Sequence, residues 1–485
     1  MDLIFDIFKK LKNHEIRQIR NHLNASPFEF EKVGKLFELV TRYKDKDEEF
    51  FSEKLYGRSP DNTFRVTKSR LKRILEDVIL DDKSITDYDS DRVNALLQAQ
   101  KRLLQGEILL GRGAYKASKN LLLQVVGNGR KFSLHNENFW AQMLLHRSQS
   151  VNLSVKEFQK GTEDLLKLNV VNFLVNEAAL HHYAVTNILT QTSLKDDELA
   201  EIEQKISRIE KIAESTGSPL SQYYFLLSKI LFLQYTYNYS DALVYCKRQL
   251  ELINHEPAVR SKQRLGSAFF QLTEISLRKG DLLEAQKFVE ETLAHFSKEE
   301  TNYLIVLGTA FRIAFFAEDW AKASSIIQEA LSHPRFSASP FRAAIWHYNQ
   351  SCLLFKTGRT SEALKSLNDA TPLLGDKMGW NLTFRLHEIM VLFEAGLYDV
   401  LETKILNMRQ FVKRTQKNSE IYRPMKLIQI LMEWHKNSLD IKKTMVAAKR
   451  QFSDLKEFHQ NIPFDPSTGE LLRLENWLSE KGKPK

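Results

Sequence analysis

Apolar residues return every three or four positions along most of this chain. Near the start, Leu3, Ile4, Ile7, Phe8 and Leu11 fall on one helical face. Further on the same period carries Ala285, Val289 and Leu293, then Ala323, Ile327 and Ala330, then Ala363, Leu367 and Ala370. Each of these sets follows a recurring phrase: a helix, a Gly or its substitute, then a small residue on the next helix at fixed spacing. The phrase is Lys279-Gly280-Asp281-Leu282-Leu283-Glu284-Ala285, and it returns at Ala317–Ala323, Thr357–Ala363 and Ala395–Leu401. Its last residues lie 38, 40 and 38 positions apart, the period of stacked helical hairpins.

The pattern predicts helices at about 2–24, 27–43, 47–57 and 60–82, without the phrase. The acidic, turn-rich stretch Asp81 to Asp91 ends this unit. Hairpins then follow at about 91–110 with 114–127, 136–151 with 154–169, 171–192 with 195–215, 219–237 with 240–254 and 259–279 with 281–296. They continue at 301–317 with 319–332, 340–356 with 360–373, 378–395 with 397–416 and 420–436 with 438–460, and a last helix over 467–481 caps the end. The domain expectation is therefore an N-terminal helical unit over 1–88, a hairpin array over 89–462 and a capping helix with tail over 463–485. Ser26-Pro27, Ser59-Pro60, Ser218-Pro219 and Ser339-Pro340 read as helix starts, a capping serine before a proline tolerated at the first helical position.

Around the phrase the residues resemble tetratricopeptide repeats (TPR): Gly280 at the turn, Glu284-Ala285 on the second helix, then Val289 and Leu293 on one face. Fainter copies are Asp241-Ala242 with Cys246 and Gly113-Ala114-Tyr115-Lys116-Ala117 with Leu121. The resemblance implies an all-α fold, a right-handed α-solenoid of helical hairpins. It departs from the family in periods of 38–43, in Phe311 and Thr273 where a smaller residue is expected, and in mostly lacking the closing Pro, so HEAT-like stacking is the alternative geometry. Glu15–Leu23, Phe50, Lys54–Gly57 and Ser69–Asp77 together resemble a module that heads many uncharacterised bacterial helical-repeat proteins, which brings no activity with it.

Composition narrows the function. Only 18 glycines and 11 prolines in 485 residues leave little material for strand-and-turn folds. Cys246 and Cys352, far apart in helical patterns, suggest neither a disulfide framework nor a thiolate metal site and fit a reducing compartment. No run approaches the roughly 20 apolar residues that span a bilayer, so a cytoplasmic protein with no membrane partner is expected. The net charge of +9 divides into 0 over 1–90, +7 over 91–160, −5 over 161–300, 0 over 301–400 and +7 over 401–485.

Motifs that carry chemistry are not assembled. His14-Glu15, His255-Glu256 and His387-Glu388 lack a second His four residues on, and His181-His182 point about 100° apart on a helix. Asp87-Tyr88-Asp89-Ser90-Asp91 begins like a calcium loop, but Arg92 stands where Gly is needed and Gln98 where a bidentate Glu belongs. Gly111-Arg112-Gly113 and Gly127-Asn128-Gly129-Arg130 read as hairpin turns and helix ends. No nucleophile elbow is present. The expectation is a protein that is not an enzyme and needs no cofactor or metal.

Two surfaces are candidates for binding. Alignment on the phrase puts Ser267, Phe270, Glu274 and Arg278, then Ile305, Arg312 and Phe316, then Ile345, Tyr348 and Phe355 on the first-helix face that such arrays turn to a peptide or partner helix. The leading expectation is an adaptor or scaffold for protein or peptide partners, with the N-terminal unit as a second docking site. The alternative is a regulator whose N-terminal unit contacts nucleic acid through Arg65, Lys68, Arg70, Lys72 and Arg73 while the array senses a peptide. A third is an enzyme with a site assembled from residues distant in sequence.

Overall fold

The computed structural model describes residues 2–8, 11, 13–25, 27–43, 46–80, 90–150, 153–190, 194–375, 379–415, 422–461, 465–466 and 469–483. They form helices and turns, with no strand among them. The chain divides into two compact units, Met1–Tyr88 and Asp89–Lys485. The acidic residues 81–89 lie outside the described residues.

The first unit holds α1 (Asp2–Phe8), α2 (Asn13–Ala25), α3 (Pro27–Arg42), α4 (Glu48–Tyr56) and α5 (Asn62–Leu80). The single helix expected over 2–24 is therefore two, with Leu11 outside both. α5 starts at Asn62 rather than Pro60, because Asp61 is its cap and accepts from the Phe64 amide at 2.9 Å. Phe37, Phe51, Phe64, Leu71 and Leu75 are fully buried in a core of this unit's own.

The second unit comprises α6 (Asp91–Gly111), α7 (Tyr115–Lys131), α8 (His135–Gln149), α9 (Val155–Leu189), α10 (Asp196–Thr216), α11 (Pro219–Tyr235), α12 (Tyr239–His255), α13 (Lys262–Lys279) and α14 (Leu282–Ala294). It continues through α15 (Thr301–Phe316), α16 (Trp320–Leu331), α17 (Pro340–Lys356), α18 (Thr360–Asp369), α19 (Trp380–Glu394), α20 (Tyr398–Thr415), α21 (Tyr422–Lys436), α22 (Ile441–Ala447), α23 (Lys449–Asn461) and α24 (Leu474–Lys481). From α6 to α23 each helix packs on the next, which makes the unit an α-solenoid of helical hairpins.

One backbone device makes many of the hairpin turns. The first helix ends on a residue with positive φ, at Gly113, Ser133, Tyr237, Gly280, Glu318, Gly358 and Gly396. The next amide returns to the carbonyl four residues before that one: Asp281 to Ser276, Asp319 to Ala314 and Arg359 to Leu354, at 2.8–2.9 Å. This is the Schellman closure, which satisfies carbonyls the helix leaves open. The residue that closes the first helix then opens the second, since Asn238, Asp281 and Asp319 accept from the amides of Asp241, Glu284 and Lys322. Five residues past the positive-φ position sits a buried side chain: Ser118, Asn138, Ala242, Ala285, Ala323, Ala363 or Leu401. In the earliest copy that residue is Ser118, not Ala117. Its hydroxyl donates to the Gly106 carbonyl at 2.7 Å and binds the two helices where they approach.

Two expectations fail in this unit. The helices expected over 154–169 and 171–192 are one 35-residue helix, α9, opened by a Ser154–Glu157 capping box, because Asn169-Val170-Val171-Asn172 contains neither Gly nor Pro to end it. The helix expected over 438–460 is broken at buried Ala448 into α22 and α23.

A single hydrophobic cluster runs from Leu277 of α13 to Leu478 of α24, with smaller clusters under the earlier hairpins. Cys246 and Cys352 are unpaired and buried, and burial pushes the Cys246 thiol up to about 12. No helix among the described residues is long and apolar enough to cross a membrane.

Candidate functional site

The expected binding residues lie on α13, α15 and α17, but the structure separates them into different environments. Glu274 of α13 and Arg312 of α15 face each other. Glu274 Oε1 accepts from Arg312 Nη2 at 3.1 Å and from Thr309 Oγ1 at 2.6 Å, and Arg312 Nη2 also donates to Thr309 Oγ1. This is a half-buried polar link between neighbouring hairpins. Phe270 and Phe316 are half-buried, packed against the core. Tyr348, expected on the surface, is fully buried, its ring edge-on to Trp380 and His387. Ile305, Arg312 and Ile345, all expected on the open face, line with Arg342 a cavity of about 190 Å³ between α15, α17 and α19.

Arg278 is held by a part of the chain 187 residues away. Its Nε donates to Asp465 Oδ1 at 3.2 Å. Asp465, and Gly469 to Arg473 beyond it, are non-helical, and Asp465 and Gly469 lie against these first helices. Gly469 lies on Trp380, so close that a Cβ there would come within 2.6 Å of the ring. Leu471 and Leu472 are buried in the core cluster, and Leu471 also lines the cavity. Buried Glu470 accepts from Arg423 Nη2 at 2.7 Å, and the same guanidinium reaches Glu475 at 2.9 Å. Burial raises the Glu470 carboxyl above its ordinary range. It also opposes the Arg423 charge, but the two glutamates more than compensate and hold its pKa above the usual value. α24 then docks on α19 and α22. Its Trp477 packs on Phe393 and Trp434 and donates to Glu394 Oε1 at 3.2 Å.

The sequence reading placed 467–481 in a terminal helix and so missed Asp465, Gly469, Leu471 and Leu472. A signal was present: Asp465-Pro466-Ser467-Thr468-Gly469 has turn composition, which argues against helix there.

In the first unit the basic residues of α5 do not form one free patch. Lys68 is paired with Glu48, and Lys72 with Glu76 at 3.4 Å. Arg65, Arg70 and Arg73 are exposed.

Among the described residues, Ser351 and His387 make the shortest serine–histidine contact. Both are fully buried, with Ser351 Oγ 2.9 Å from His387 Nε2. The hydroxyl donates to the Ala363 carbonyl at 2.8 Å, so Nε2 is the donor to Ser351 and cannot take its proton. Burial lowers the His387 pKa to about 3. The pair is a packing contact between α17, α18 and α19. Among the described residues no group of three or more His, Cys, Asp and Glu is arranged to hold a metal ion.

No protein-family model matches this chain, and no curated protein does. Among solved structures it is similar to a signal transduction ATPase with numerous domains (STAND) that carries a tetratricopeptide repeat sensor, from Pyrococcus horikoshii. The identity is 13% and the TM-score 0.40, over 75% of this chain and 60% of that one. This chain therefore spans less than two thirds of that protein's length.

Proposed function

We propose that this chain is a non-enzymatic, cytoplasmic adaptor that binds an extended protein or peptide segment on the first-helix face of α13, α15, α17 and α19. One observation carries the reading: the face already holds non-helical residues of this chain, with Asp465 paired to Arg278, Gly469 against Trp380 and Leu471 and Leu472 buried. Helical arrays reuse such faces for peptides because main-chain approach and a few side-chain pockets suffice for recognition. The cavity beside Leu471 offers Arg342 for a carboxylate and Ile305 and Ile345 for an apolar side chain.

The test is affinity capture of the tagged full chain from its own cells, with and without nuclease, followed by comparison with a chain carrying Ile305→Asp and Arg342→Glu. Ile305 is 46% exposed, so this change leaves the core intact. The expected result is a small, nuclease-insensitive set of proteins whose recovery from the double variant falls by roughly tenfold, the cost of losing one interface contact. Unchanged recovery overturns the reading.

A further inference from the structure

α9 meets the array with Val175, Ala178, His182 and Val185, all buried. Its opposite side is apolar as well: Leu166, Val170, Phe173 and Leu180 are 57–68% exposed. Their spacing of four, three and seven residues keeps them in one row along about 21 Å of helix. The row begins on a half of the helix that the array holds only lightly, since among the described residues none from Val155 to Leu174 is buried. Single exposed apolar residues are ordinary in a monomer, but a contiguous row of large ones marks a contact surface.

The order of side chains along the row says what covers it. Leu166, Asn169, Phe173, Asn176 and Leu180 read the same in both directions, with a leucine seven residues to either side of Phe173 and an asparagine four before and three after it. A two-fold contact joins a patch to itself, so it requires this self-complementarity. In an antiparallel pair with the axis at Phe173, Leu166 of one copy meets Leu180 of the other, the two Phe173 rings meet, and Asn169 meets Asn176. Asn176 donates to Asn172 at 3.4 Å, which leaves its carbonyl oxygen for the Asn169 amide of the other copy. Paired asparagines in such a seam fix its register. The only charged residue between Asn169 and Leu180 is Glu177, and Arg208 holds both its oxygens, at 2.7 and 2.8 Å. A row neutralised in this way gives an oppositely charged partner nothing to select and a second copy nothing to repel. We propose that the chain forms a two-fold dimer in which α9 packs antiparallel on α9 of a second copy, with Phe173 at the axis. The proposal is independent of the peptide-binding reading above.

The test is sedimentation equilibrium of the full chain by itself. The expected mass is twice the 56.4 kDa of one chain, falling toward that of one chain on dilution. Phe173→Glu sets two carboxylates against each other at the axis and should weaken the dimer by at least roughly a hundredfold. The position is exposed, so helix content and Tm stay at wild-type values. The antiparallel register has a test of its own. Leu166→Lys and Leu180→Glu each weaken the dimer, and the two combined restore it, because each introduced lysine then faces an introduced glutamate of the other copy. A parallel pair would set like charges together and remain apart. A wild-type chain that is a monomer at every concentration overturns the proposal, as does a dimer indifferent to Phe173→Glu or a double variant no tighter than either single one. If the chain is a monomer, loss of a captured protein on Phe173→Glu assigns the row to that protein instead. The adaptor reading is decided separately, by whether captured proteins depend on Ile305 and Arg342.

Discussion

Glu318 holds a backbone conformation that its side chain does not favour. Its φ of 56° places it at the same turn position as Gly280, Gly358 and Gly396, and an L-residue there costs about 1–2 kcal/mol. Glu318→Gly is therefore expected to stabilise the array by about 1 kcal/mol, less the entropy that glycine adds to the unfolded chain. Gly358→Ala, at φ 77° with open space around the position, should destabilise by a similar amount through conformation alone. Thermal melts of both variants test the pair: Tm should rise for the first and fall for the second. His387 sets a pH dependence. Its folded pKa of about 3 lies below the ordinary 6.5 because burial penalises the charged imidazole. Its stabilising contribution is thus fully present above about pH 6.5 and lost as the pH falls from there toward 3, by about 1.4 kcal/mol per pH unit. His135 and His182 are lowered by burial too, so they add in the same direction. Urea unfolding of His387→Gln between about pH 7 and pH 5 should show a mean slope shallower by about two thirds of a proton than the wild type.

At the level of the helix pair, the buried residue five positions past each turn decides how closely two helices approach. Ala323 is fully buried between α15 and α16, so Ala323→Asp brings a carboxylate into an interface with no space or partner for it. The expected cost is about 3 kcal/mol, and a melting curve unchanged from wild type would show that the position is not the interface the repeat defines. The same positions explain what was legible in the sequence. Gly280, Gly358 and Gly396 announce their turns because glycine favours positive φ, and the alanines after them complete the phrase. Ser133 and Tyr237 adopt the same conformation without glycine, so the Ser133 turn was seen only as a gap and the Tyr237 turn as a faint copy. α9 was divided because the expected hairpin period was imposed on a run that nothing interrupts. The site was less legible than the fold. Apolar spacing locates helices well, but Ile345 and Tyr348, three residues apart, share a helix face, and periodicity does not tell which of them lines the cavity and which is buried.

The second unit is not the one-dimensional stack that its repeat suggests. In a simple solenoid each hairpin touches only its neighbours, and a lesion is felt over one or two repeats. Here Asp465 pairs with Arg278 of α13, and α24 docks on α19, so residues beyond α23 are tied to a helix four hairpins earlier. A tie of this kind makes the C-terminal half behave as one cooperative block. The single cluster from Leu277 to Leu478 has the same consequence. Trp477 is the place to test it, since its ring joins α24 to Phe393 of α19 and Trp434 of α21. Trp477→Ala should cost about 3–5 kcal/mol. Hydrogen exchange followed by mass spectrometry should then show faster exchange beyond α24 and its neighbours, back through α17 and α15 to α13, while α3 and α5, which have a core of their own, keep wild-type protection. Faster exchange confined to α19–α24 would mean that the array behaves as nearest-neighbour repeats and that the tie through Asp465 adds no long-range coupling.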